Sequence, residues 1–209
     1  MGTHLMDFLQ QQLLQNDQLV DSIRQQLGGV EKEQATTAAQ TALTALVTTL
    51  AKNAQQPEQA QNMLRAIDRD HDGSLLDYAQ EFLSGQFQPE NPKSTDGAGI
   101  LRHLLGKRQD AIAQVVAQTS GISLEQGSSL LKMLAPLVMG AVGKVRRESG
   151  LGLDDIVQML SGSVQKQQSS NPVLGMITQL LDQDGDGSAV DDIAKMGMRM
   201  LGNWFGKSK

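Results

Sequence analysis

Apolar residues recur along the chain at helical spacing, in two series that lie 92 residues apart. Steps of three and four residues place the members of each series on one face of a helix. The first series is Ala38, Ala39, Ala42, Leu43, Leu46, Val47 and Leu50, and the second is Leu130, Leu131, Leu134, Ala135, Val138, Met139 and Val142. We therefore predict one long helix in each half of the chain, at about 31–53 and 123–147, arising from an internal duplication.

Shorter helices are predicted on both sides of each long helix. The turn before it repeats as well, since Gly29-Val30 corresponds to Gly121-Ile122. Pro57 and Pro172 suit the first turn of a following helix. The predicted ranges are 17–27, 57–67 and 75–84 in the first copy, and 108–119, 172–181 and 189–205 in the second. The predicted fold class is all-α, with two tandem helical units that each carry an aspartate-rich loop before the last helix.

The unit boundaries follow from a segment without apolar periodicity. Residues 86–97 contain Pro89 and Pro92, and we predict that they form a linker. The first unit then covers residues 6–85 and the second covers residues 98–205. The second copy is about 22 residues longer, and its extra residues fall within 151–170.

Composition supports the helical class and limits the chemistry. Hydrophobic residues make up 39% of the chain but aromatic residues only 3%, which favours packed helices over a sheet. The absence of cysteine excludes disulfides and thiolate metal sites. Residues 1–97 hold 6 basic and 13 acidic side chains, whereas residues 98–209 hold 12 and 10. Neither half has the concentrated basic face that nucleic-acid binding requires.

No membrane span or export signal is predicted. The longest apolar stretch, 130–145, contains Lys132 and Pro136 and is shorter than the roughly 20 residues that cross a bilayer. The N-terminus has no basic segment followed by an apolar one, and residues 1–5 resemble a cloning remnant before Met6. We expect a cytoplasmic location. A periplasmic location stays open, because a signal removed in cloning would leave the same sequence.

Each unit contains the pattern Asp-x-Asp-x-Asp-Gly, which is typical of the opening of an EF-hand calcium loop. Calcium takes about six to eight oxygen ligands, so such a loop presents carboxylates at alternate positions and turns sharply at glycine. The predicted ligands are Asp68, Asp70, Asp72, Ser74 and Asp77 in the first loop (68–79), and Asp182, Asp184, Asp186, Ser188, Asp191 and Asp192 in the second loop (182–193). Calcium is the expected cofactor, with magnesium as the alternative.

Both loops depart from the EF-hand pattern at position twelve, where Ala79 and Ile193 replace the bidentate glutamate. A metal-free interpretation is also open. Ser74 and Ser188 could be N-caps, with Asp77 and Asp191 three positions later. Capping accounts for two residues of each loop but leaves three alternating aspartates unexplained, whose repulsion at about 5 Å is about 0.8 kcal/mol per pair even in water. In the first loop, Arg69 and His71 would partly replace the ion.

Other candidate chemistry is weak. His71 and His103 lack the spacing of a zinc site, and no nucleophile elbow or phosphate-binding glycine loop is present. The basic cluster Lys144, Arg146 and Arg147 ends the second long helix, where cations interact favourably with the helix dipole. A phosphate contact is the alternative role for this cluster.

Four segments of the second copy resemble the YidB-like family of bacterial proteins, a domain of unknown function. They are Gly99–Gly106, Ser120–Ile122, Leu131–Gly143 and Leu181–Ile193. The resemblance covers residues 98–205 and reaches the first copy only through the duplication. It implies an all-helical bacterial domain and carries no assigned activity.

We expect a non-enzymatic helical protein in which calcium ties together the two helices that flank each aspartate loop, 57–67 with 75–84 and 172–181 with 189–205. The alternative from another class is a metal-independent scaffold for an unidentified protein partner. A third interpretation is helix-turn-helix binding of nucleic acid at the Gly29 and Gly121 turns, but the acidic first copy argues against it.

Overall fold

The structure, a computed structural model, describes residues 5–168 and 171–182, and every regular element in those ranges is helical. The α-helices are α1 (Leu5–Leu9), α2 (Asp17–Gln26), α3 (Lys32–Ala54), α4 (Pro57–Asp70), α5 (Ala79–Leu83), α6 (Gly97–Leu105), α7 (Gln109–Ser120), α8 (Leu124–Ser149), α9 (Leu153–Gln167) and α10 (Pro172–Asp182). A π-helical turn spans Gln10–Leu14, and 3-10 turns span Ser74–Tyr78, Pro92–Thr95 and Gly106–Arg108. The predicted all-α class is confirmed.

Helix α3 is buried around its whole circumference near its centre. Its predicted apolar face is buried, but so are the threonines on its other faces, including Thr44, Thr48 and Thr49. Their hydroxyls donate to backbone carbonyls one turn earlier, for example from Thr49 to Ala45 at 2.7 Å, which satisfies these polar groups inside the core. The apolar pattern predicted a helix with one buried face, whereas neighbouring helices enclose α3 on all sides.

The core joins helices from both predicted units. Helix α3 packs against α7, α8 and α9, and α8 packs against α6 and α7. The buried apolar side chains form one cluster that runs from Leu5 in α1 to Leu181 in α10. The cover of each long helix is therefore supplied in large part by the other half of the chain.

Two glutamines connect the starts of the long helices across the two halves. Gln34 Oε1 accepts a hydrogen bond from the Glu31 amide at 3.2 Å, and Gln34 Nε2 donates to the Gly121 carbonyl at 2.8 Å. Gln126 Oε1 likewise accepts from the Ser123 amide at 2.8 Å, and its Nε2 donates to the Leu27 carbonyl. Gln34 and Gln126 are 92 residues apart, which is the offset of the predicted duplication, but their acceptors are not equivalent, since Gly121 corresponds to Gly29 and not to Leu27.

Helix α8 has the length and mean hydropathy of a membrane span, and among the described residues it alone does. Within the protein, 72% of its most apolar window is buried, which is equally typical of a central core helix. At the other end of the described chain, Leu5 is fully buried, and its amide donates to Ser163 Oγ at 3.0 Å. This residue, which we assigned to a cloning remnant, packs as part of α1.

Separating the chain at Gln88 is expected to prevent either piece from folding alone. Residues 1–88 contain α3 without α7, α8 and α9. Residues 89–209 keep α6 and α7 on α8 but lose α3, α4 and the turn Ser74–Tyr78, so each piece would expose a large apolar surface. Circular dichroism should show little cooperative helix in either fragment, and mixing them in equal amounts should restore it. A cooperative melt of residues 1–88 by themselves would contradict a shared core.

Candidate functional site

The first aspartate loop begins inside a helix. Helix α4 extends to Asp70, three residues beyond the predicted end, so Asp68 and Asp70 belong to its last turn. The chain then passes through His71 and Asp72 to Gly73, whose φ of 95° lies in the left-handed region. Asp68 and Asp70 therefore belong to the end of a helix and not to an open loop.

Asp72, and not Ser74, caps the turn that follows. Asp72 Oδ1 accepts hydrogen bonds from the Ser74 amide at 2.9 Å and from Ser74 Oγ at 2.7 Å. The predicted single closing helix is instead the 3-10 turn Ser74–Tyr78 followed by α5. The capping pair of Ser74 with Asp77 was therefore wrong for this loop, because a preceding aspartate reaches the same backbone amide.

The C-terminal end of α8 supplies cations to three loop carboxylates. Arg146 forms an ion pair with Asp68. Lys144 Nζ lies 3.0 Å from Asp77 Oδ1, and Arg147 Nη1 lies 3.7 Å from Asp72 Oδ2. The sequence predicted that this basic cluster ends a helix and interacts with its dipole, and the cluster does lie in the last turns of α8. The sequence did not predict its ion pairs with the loop. Nothing in the sequence pairs these three bases with the loop, which contains four carboxylates.

Asp70 is held separately, on the other side of the loop. Its side chain is only 7% exposed. Arg69 donates to Asp70 Oδ2 from Nε at 2.8 Å and from Nη2 at 2.6 Å, and Asn91 Nδ2 donates to Oδ1 at 3.0 Å. The hydrogen bonds from Arg69 hold the pKa of Asp70 below its usual range, and the bond from Asn91 adds to this effect while burial opposes it. Asn91 belongs to the predicted linker, so that segment is attached to the loop.

The pKa values of Asp72 and its neighbour His71 are also lowered. The hydrogen bond from Ser74 Oγ is the main cause that lowers the pKa of Asp72, which therefore carries its charge at neutral pH. Burial lowers the pKa of His71, so its imidazole is neutral there. His71 therefore does not supply the positive charge that we expected from it, and of the two expected bases only Arg69 does.

Glycines allow the loop to lie directly on α8. A Cβ at Gly143 would stand 1.8 Å from the His71 carbonyl oxygen, and a Cβ at Gly73 would stand 2.8 Å from the Lys144 Cα. Both distances are far below van der Waals contact, so the backbones approach as closely as they do only because both residues are glycine. This approach brings Lys144, Arg146 and Arg147 within reach of the loop.

Of the second loop, only Asp182 lies within the described residues. Lys52 Nζ is 2.6 Å from Asp182 Oδ1 and also donates to the Leu181 carbonyl. Lys52 on α3 corresponds to Lys144 on α8 at the offset of 92, so each loop begins beside the end of the long helix of the other half. The remaining predicted ligands lie outside the described residues, namely Asp184, Asp186, Ser188, Asp191 and Asp192.

No three acidic or histidine side chains come together as a metal site would require in the described part of the chain, which includes the whole first loop. The first-loop carboxylates point to partners on α4, α8 and the linker. Metal binding at either loop stays a prediction.

The chain belongs to a family described as bacterial protein of unknown function (DUF937), whose match covers residues 7–145. This is the family of the YidB-like proteins, so the predicted family is confirmed, while the match ends before Leu181–Ile193, the fourth segment of the resemblance. The match begins in α1 and ends in α8, and thus includes most of the first unit, which the resemblance reached only through the duplication. No curated protein and no solved structure matches the chain at a significant level.

A Gly143→Ala substitution tests the docking of the first loop on α8. The added methyl group would collide with the His71 carbonyl, and we expect a net loss of about 1–3 kcal/mol in the free energy of unfolding. The matched control is Gly162→Ala in α9, where no atom lies within 4 Å of the added Cβ. There the better helix propensity of alanine should stabilise by about 0.5–1 kcal/mol. Urea denaturation measures both, and equal stability of the two variants would refute the docking.

Proposed function

We propose that this protein is a non-enzymatic helical scaffold in which calcium binds the second aspartate loop, while side chains of α8 replace the cation at the first. The observation that supports this most strongly is the pairing of Asp68, Asp72 and Asp77 with three cations of one helix. A loop neutralised in this way has no need of a metal ion.

Electrostatics favours internal neutralisation at the first loop. Like charges about 5 Å apart repel by about 0.8 kcal/mol in water and by more near a protein surface. Each exposed ion pair contributes only about 0–1 kcal/mol by itself. Three pairs between one loop and one helix end act together, however, because Gly143 and Gly73 already fix the two backbones against each other. Calcium would have to displace this network in order to bind.

The second loop lacks most of this compensation. At the offset of 92, the counterparts of Arg146 and Arg147 are Ala54 and Gln55, and only Lys52 corresponds to a base. The second loop also has Gln183 where the first has Arg69, and it adds Asp192. The sequence of the second loop therefore has more carboxylates than the first and fewer corresponding bases, which favours an external divalent cation at this loop. Because Ile193 stands at position twelve in place of glutamate, we expect a moderate affinity for calcium. We propose a cytoplasmic location, where magnesium would compete for the site.

Calorimetric titration of chelator-treated protein with calcium tests the assignment. We expect one site, which Asp182→Ala with Asp186→Ala abolishes because the loop-opening carboxylates supply both charge and geometry. Asp68→Ala with Asp72→Ala should leave that site unchanged. Calcium at one hundred times its dissociation constant should add about 2.7 kcal/mol to the stability of the native state, and magnesium should add less.

A gain-of-site variant and a salt control sharpen this experiment. Arg146→Ala with Arg147→Gln gives α8 the residues of α3 at the equivalent positions, and it should create a second calcium site at the first loop. Sodium chloride at matched ionic strength should raise the melting temperature far less than calcium does. If calcium does not bind, or stabilises no more than sodium chloride, the metal-independent interaction scaffold is correct for both loops.

Nucleic-acid binding of the helix-turn-helix type has less support. In that arrangement, the helix after the turn enters the major groove. Here those helices are α3 and α8, whose central residues are buried in the core. The Gly121 turn is in addition hydrogen-bonded to Gln34 of the other half.

A further inference from the structure

A cavity of about 590 Å³ lies between α4, α6 and the turn Pro92–Thr95, next to the first aspartate loop. Apolar side chains form its floor, among them Met63, Ile100 and Met139, each at most 9% exposed. Its volume is within the range of small-molecule binding sites, about 300–1,000 Å³. An apolar floor of this kind suits the hydrocarbon part of a ligand.

The rim of the cavity is positive in a chain of net charge −5. Three bases line it, Arg65, Arg69 and Lys93, against two acids, Asp70 and Asp96. Both acids already have donors. Asp70 accepts from Arg69 and Asn91, and Asp96 Oδ1 accepts from the Gly99 amide at 2.8 Å.

Two of the bases keep their charge available for a ligand. Arg65 Nη2 donates to Asn62 Oδ1 at 2.6 Å, which is a neutral partner. Within the described residues, neither Arg65 nor Lys93 forms an ion pair with a carboxylate. An anion at the rim would meet two cations that no carboxylate neutralises.

A buried polar ring also lines the cavity. His71 is 6% exposed, and its imidazole makes no hydrogen bond to any residue in the described part of the chain. Its ring nitrogens are not among the buried side-chain atoms that lack a partner, so they are accessible to solvent, and a neutral imidazole offers one donor and one acceptor there. The cavity is where a partner for this ring can be placed.

We propose that this cavity binds a small amphipathic carboxylate, with its chain on the floor of Met63, Ile100 and Met139 and its carboxylate at Arg65 and His71. The planar guanidinium of Arg65 can hold both oxygens of a carboxylate, and the imidazole can donate to one of them. A cationic ligand would meet the repulsion of the rim, and a purely polar anion would leave the floor exposed to water. The site is separate from the calcium loop proposed above.

Binding of octanoate to the full-length protein, in chelator so that no calcium is present, tests the proposal. We expect a dissociation constant below about 1 mM by calorimetry, with chemical-shift changes in the methyl groups of Met63 and Met139. Octylammonium has the same chain with the opposite charge, and acetate has the charge without the chain. Neither should bind at the same concentration. Absence of octanoate binding, or equal binding of octylammonium, would overturn the proposal.

Variants locate the site. Arg65→Gln should weaken octanoate binding by about fivefold or more. Arg102→Gln removes an exposed cation on α6 outside the cavity lining and should leave the affinity unchanged. Ala66→Phe fills part of the cavity and should abolish binding, with its melting curve showing whether the variant is folded. If Arg65→Gln and Arg102→Gln weaken binding equally, the effect is general charge attraction and the assigned site is wrong.

Discussion

Aspartates placed two residues apart repel one another, and the arrangement around the first loop follows from the need to neutralise them. The protein does so with its own side chains. Arg146 and its neighbours project from the last turns of α8, where the helix dipole already favours positive charge. The same cations therefore stabilise both the end of their own helix and a loop that lies far away in sequence.

This neutralisation depends on a close approach of two backbones. Gly143 removes the side chain that would otherwise hold the His71 carbonyl away from α8, and Gly73 does the same on the loop. Without that approach, side chains as exposed as Arg147 and Asp72 would contribute little as an isolated pair. Packing thus decides the electrostatics here.

The first loop also separates two environments. Its outer carboxylates face the cations of α8, while Asp70 and His71 line the cavity beside α6. The two halves of the chain also differ in the cations at the ends of their long helices, because Ala54 stands in α3 at the position of Arg146 in α8. A difference of this kind would let two loops with the same aspartate pattern take different partners.

The sequence by itself determined the helices and their approximate limits, because a spacing of three and four residues and capping residues such as Pro57 are local signals. It also determined the family. It did not determine that α3 is enclosed on all sides, since burial of Thr44 or Thr49 depends on helices elsewhere in the chain. Nor could it assign Asp68 to Arg146, because the two residues are 78 positions apart and charge alone does not select a partner. Only the tertiary structure, through the contact at Gly143, decided which cations meet the loop and where the cavity forms.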